Sequence, residues 1–157
     1  MMLDQQLMFA DKLAITATAA GTNIIDLGPL TGGSGVNPVR DIGAGEPLWL
    51  FLSTGAQAIL PTAATIAVSL DTSDTEAMGA PIALGTVLLT PTNVPGGALY
   101  AARLNPANYH RYLRATFTVA GGPITQGAIS AGIIWDANVW RAYASGFTTG
   151  VFGAQGP

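Results

Sequence analysis

Cysteine is absent from this 157-residue chain, and histidine occurs once, at His110. Disulfides and thiolate metal sites are thereby excluded, and a catalytic triad or a multi-histidine metal centre has a single imidazole to draw on. Charge is scarce as well. Asp, Glu, Lys and Arg make up 10% of the residues, against roughly 25% in an average soluble protein. The basic residues are Lys12, Arg40, Arg103, Arg111, Arg114 and Arg141, and the net charge is −3. That balance argues against nucleic acid as a partner, because neutralising phosphates takes clustered cations. Three of the six bases fall between 103 and 114 and are expected on the solvated edges of one strand. The opening MMLDQQLMFADK places an acidic residue where a signal peptide carries positive charge, and no apolar core run follows, so secretion by the common route is not expected.

Unbroken hydrophobic runs are missing too, although mean hydropathy is high at +0.41. Three spans, 47–70, 77–102 and 115–135, contain no charge and are long enough to cross a bilayer. Each is interrupted by Gly or Pro and seeded with Ser and Thr, which a lipid-spanning helix would not tolerate at this density. No membrane partner is expected. A low-charge surface rich in Ala, Gly and Thr fits burial against neighbouring protein better.

What the chain does contain is turns and short alternating segments. Its 20 Gly and 10 Pro are spread throughout, and its length is that of one domain, 1–157. Leu113, Ala115, Phe117 and Val119 alternate with Arg114, Thr116 and Thr118 up to a Gly-Gly-Pro turn, and Ala64, Ile66, Val68 and Leu70 alternate likewise. This period of two marks half-buried strands. Residues 49–52 (WLFL) are apolar on both faces, so that strand is expected to be central and covered on both sides. Further strands are expected at 13–19, 23–27, 82–89, 98–104 and 124–135, the last with Gly127 and Gly132 marking a bulge or a close backbone approach. The result is an all-β reading: a jelly roll or β-sandwich of eight or nine short strands. Only 73–79 (SDTEAMG) suits a helical turn, with Ser73 as its cap. Residues 28–45 are expected to form a long Gly-rich loop. The ends, an N-terminal arm over about 1–12 and an aromatic tail over about 137–157, are irregular.

Motifs for chemistry are weak. TGGSGVNP (31–38) lacks the Lys-Ser/Thr that completes a phosphate loop, and no GxGxxG opens a helix. Asp41 and Glu46 in DIGAGEP read as a turn and not as an acid–base pair. His110 follows NPANY and reads as a turn or surface residue. Asp71, Asp74 and Glu76 lack the central glycine and terminal glutamate of a calcium loop and read as a solvated acidic turn. No catalytic, metal or cofactor-binding residue is expected. Aromatics carry more weight: Trp135 is expected to close the end of the domain's own core. The tail aromatics after Arg141 either lie across a neighbour or pack on their own domain.

Three segments carry a resemblance: LDQQLMFADKLAITATAAGTNIIDLGP (3–29), RDIGAGEPLWLFL (40–52) and HRYLRATFTVAGGPITQGAISAGIIWD (110–136). In this order they resemble the small jelly-roll cement, or decoration, proteins of tailed bacteriophages. The resemblance implies a structural virion protein and no enzyme. Such a protein would be made in the host cytoplasm, sit on the outer capsid surface and staple major-capsid subunits together. It also implies self-association, with a homodimer favoured over a trimer. Apolar chain ends then point to an interface, with Leu3, Leu7, Phe9, Trp140, Tyr143, Phe147 and Phe152 as its expected residues. The rival reading is a carbohydrate-binding jelly roll that uses exposed Trp and Tyr as platforms.

Overall fold

The computed structural model describes residues 4–28, 48–54, 64–90, 99–104, 109–122, 124 and 127–135. Its nine strands are β1 (Met8–Leu13), β2 (Ala19–Ala20), β3 (Ile25–Asp26), β4 (Trp49–Thr54), β5 (Thr65–Ser73), β6 (Ile82–Leu89), β7 (Leu99–Arg103), β8 (Tyr112–Ala120) and β9 (Ile129–Ile134). A 3₁₀ turn, Gln5–Leu7, precedes β1, capped by an Asp4 carboxylate that accepts from the Gln6 N–H at 2.9 Å.

All pairings are antiparallel and build two sheets. One has the order β1-β9-β4-β7; the other has the order β2-β8-β5-β6, with β3 also pairing β8. Because β2 and β3 lie along the same neighbour, they act as one interrupted strand. Apart from the β2–β3 interruption and the β5–β6 hairpin, each connection crosses from one sheet to the other. This is the strand order of a jelly-roll sandwich.

The alternation read from the sequence explains how the sheets face each other. Leu113, Ala115 and Phe117 of β8 and Ile66, Val68 and Leu70 of β5 point inward and are buried. They meet Phe9, Leu50, Leu52, Ile129, Ala131 and Ile133 of the opposite sheet in one continuous core. Removing each such side chain from water stabilises the fold by roughly 1.5–3 kcal/mol, except for the smaller alanines.

Four expectations change. The first strand begins five residues earlier than the alternation of 13–19 suggested, so 8–12 belongs to β1 and not to an arm; 16–18 are bends. The irregularity hides the strand: its register slips on both sides of Ala10, and Lys12 adopts a left-handed φ of 48°. The second expected strand shortens to Ile25–Asp26. The bases between 103 and 114 do not share a strand edge: Arg103 ends β7 in one sheet, while Arg114 lies on β8, which is flanked on both sides in the other. Segment 73–79 forms a bend and turn, in which Ser73 Oγ accepts the Thr75 N–H at 3.2 Å as a cap would.

Candidate interaction surface

Register gathers many functional candidates at one end of the sandwich. Trp49 at the start of β4 pairs with both Arg103, the last residue of β7, and Ile134, the last of β9. In the other sheet Thr72 pairs with Ile82 and Leu113, and Ser73 with Tyr112. The starts of β4, β6 and β8 and the ends of β3, β5, β7 and β9 therefore lie together.

Polar side chains tie this end down. Arg111 Nε and Nη2 donate to the two carboxylate oxygens of Asp26, both at 2.8 Å, and the guanidinium lies 5.0 Å above the Tyr112 ring. Asp26 also accepts from the Gly28 N–H at 2.8 Å. The hydrogen bonds to Asp26 hold the Arg111 guanidinium still more firmly protonated than usual. Thr72 Oγ1 accepts the His110 N–H at 2.8 Å and lies 3.1 Å from the Tyr112 carbonyl. The half-buried His110 ring pairs with the exposed Asp74 at 2.7 Å, joining the β5–β6 turn to the segment that leads into β8. These contacts position backbone. Among the described residues no group of three His, Cys, Asp or Glu side chains converges as a metal site would require.

The acidic residues of DTSDTE do not form one solvated turn. Asp71 belongs to β5 and is only 6% exposed, its carboxylate accepting from the Ser69 and Thr116 hydroxyls at 2.5 Å each. Its cross-strand neighbour Arg114 keeps a buried Nε without a hydrogen-bond partner. Hydroxyls supply the solvation that water would otherwise give the buried carboxylate.

Trp135 overturns an expectation outright. It does not close the core: burial stops at Ile134, and Trp135 is 70% exposed. At the same end Ile82, the first residue of β6, is 54% exposed. On the open side of the sandwich, between the edge strands β6 and β7, a cleft of about 210 Å³ enters the protein. Leu50, Leu70, Leu84, Val87 and Leu104 form its apolar wall, and Thr86, Arg103 and Tyr109 its polar part. Burial pushes the Tyr109 phenol above its usual pKa range.

The expected interface residues fare unevenly. Phe9 is fully buried in the chain's own core and presents no surface, because it lies on the inward face of β1. Leu7 packs partly buried against the same core. Leu3, Trp140, Tyr143, Phe147 and Phe152, together with Asp41, Glu46 and most of the Gly-rich loop, lie outside the described residues. Trp135, Ile82 and the cleft were missed; the first was hidden at the close of an apolar run, IIW, that reads as core throughout.

Two antiparallel sheets in jelly-roll order, with exposed apolar side chains and a cleft at one end, define an all-β sandwich. The family model described as Bbp16 matches residues 9–133, which is most of the chain and nearly all of the sandwich. The chain belongs to the Bbp16 family. No match is found among curated proteins.

Proposed function

We propose that this protein is a capsid cement protein, which binds the outer surface of a phage head and staples neighbouring major-capsid subunits. The observation that carries the reading is the concentration of exposed Trp135 and Ile82 beside an apolar cleft at one end of a low-charge sandwich. Large aromatics at such positions are the usual anchors of protein interfaces. The jelly-roll order and the three resembling segments are in keeping with it. Many copies on a shell turn modest single contacts into strong avidity, so no one contact has to be tight.

The test is co-sedimentation with heads assembled without the protein. Binding to heads, with a rise in their melting temperature, is the expected result, and removing residues 142–157 is expected to weaken binding while the sandwich stays folded. Failure of the full-length chain to bind heads would overturn the proposal. An exposed tryptophan also suits a sugar platform, and a glycan array separates that reading: retention of a glycan without head binding favours the carbohydrate module.

A further inference from the structure

We infer that the β6–β7 cleft binds a small monocarboxylate with a compact apolar body, an aromatic or short-chain acid, whose carboxylate Arg103 holds. The inference stands apart from the cement reading, which assigns this cleft no ligand.

The cleft exists because the sandwich does not close on this side. Among the described residues, β6 is the last strand of one sheet and β7 the last of the other, and no pairing joins them. Leu50 and Leu104 from one layer and Leu70, Leu84 and Val87 from the other line the gap. Leu50 and Leu70 are buried members of the core, and the other three pack against it partly buried. The cleft is therefore an opening into the core and not a groove on a sheet face. Apolar atoms that border unfilled space forgo contacts on that side, and an apolar guest restores them.

Size limits the guest. An apolar cavity of about 150 Å³ holds benzene. At about 210 Å³ the cleft has room for one ring or a short chain with a small polar group. Pockets for drug-sized ligands start at about 300 Å³, so a nucleotide or an oligosaccharide is too large.

Charge selects the head group. Among the described residues that line the cleft, Arg103 is the only charged one, so a cationic guest finds no counter-ion there. Arg103 is exposed and has no side-chain hydrogen bond or ion pair among the described residues. Arg111 shows the contrast, since Asp26 occupies its guanidinium at two points, both 2.8 Å. The same planar fork at Arg103 is open to a carboxylate, whose two oxygens match it. Thr86 and Tyr109 bring hydroxyls to the same lining. Burial favours the neutral phenol of Tyr109, so it sets no negative charge against the guest. One cation beside an apolar hole suits one negative charge on an apolar body.

The probes are benzoate and its uncharged counterpart benzyl alcohol, each titrated into the full isotope-labelled chain and followed by amide NMR. Benzoate is expected to bind saturably, with the largest shifts at Leu84, Gly85, Thr86 and Leu104. It should bind about tenfold more tightly than the alcohol, the difference that one charge-assisted contact makes. Arg103→Gln alters an exposed side chain and is expected to leave the fold intact while lowering benzoate affinity to that of the alcohol. Absence of saturable benzoate binding, shifts centred away from the cleft, equal affinity of the two probes for the wild type, or undiminished benzoate binding by Arg103→Gln overturns the inference. Neither probe involves phage heads, so the result leaves the cement reading to its own test.

Discussion

The outer faces of the two sheets differ as sharply as the inside and outside of an ordinary protein. In the β1-β9-β4-β7 sheet the outward row contains Met8, Trp49, Phe51 and Ile134, and three of these are themselves buried, Phe51 to within 1%. In the β2-β8-β5-β6 sheet the outward residues of β5 and β8 are Ala67, Ser69, Asp71, Arg114, Thr116 and Thr118. One sheet therefore behaves as a layer with apolar packing on both faces, the other as a half-buried sheet with a hydroxyl-rich face. The comparison narrows the choice of contact surface. Phe51 is already covered, and the face around Asp71 carries mainly small and polar groups. The exposed aromatic side chain lies at the end of the sandwich and not on either face.

Gly132 shows how closely the first sheet is packed. A Cβ there would meet the Leu7 carbonyl oxygen and the Phe51 ring, both at 2.7 Å. The ring lies over a position where no side chain fits.

The contrast can be broken by mutation. The largest effect is expected at Phe51→Ala, which should cost about 3–5 kcal/mol, as for a fully buried core phenylalanine. Thr118→Ala on the opposite outer face should stay within about 0.5 kcal/mol. Equilibrium urea denaturation compares the two, and a small loss at Phe51 would erase the difference between the faces. Gly132→Ala should cost about 3 kcal/mol, near the upper end of overpacking, because one of the clashing atoms is backbone; a change in melting temperature too small to detect would contradict the close approach. Asp71→Asn should cost about 1.5 kcal/mol, since it weakens two charge-assisted hydrogen bonds within an otherwise tolerant face. Ser69→Ala combined with it should add less than the sum of the separate losses, by a double-mutant cycle.

The smallest effect concerns pH. The folded protein raises the Tyr109 pKa by burying the phenol, so the neutral form is favoured in the native state. The associated stability is complete below the unfolded value of about 10 and is lost as pH rises through the higher folded value. The melting temperature should therefore fall in that alkaline range, and Tyr109→Phe should reduce the fall. An unchanged slope in the variant would show that Tyr109 does not contribute.

Much of this architecture was legible where alternation is clean. The expected limits of β6 agree with the structure, β5 and β8 follow their period-two patterns, and the central, doubly covered character of β4 could be read from WLFL. Legibility fails where backbone irregularity or a chain end intervenes. In MFADKL, Asp11 and the left-handed Lys12 break the period, so β1 reads as an arm although Phe9 anchors the core. Asp71 reads as solvated because the Ser69 and Thr116 hydroxyls that replace water come from alternating positions on two strands, one of them 45 residues away in sequence. Trp135 reads as core because hydrophobicity does not reveal where a sheet stops covering its own strand. The cleft has no sequence signal of its own, since it forms where two edge strands from different sheets fail to meet.

The proposed cement role has a direct measurement: electron cryomicroscopy of phage heads assembled without this protein and then saturated with it. The expected result is added density on the outer surface only, spanning adjacent major-capsid subunits, with a sandwich-sized body. Heads that gain no outer density at saturating protein, or density confined to the interior, would contradict the account.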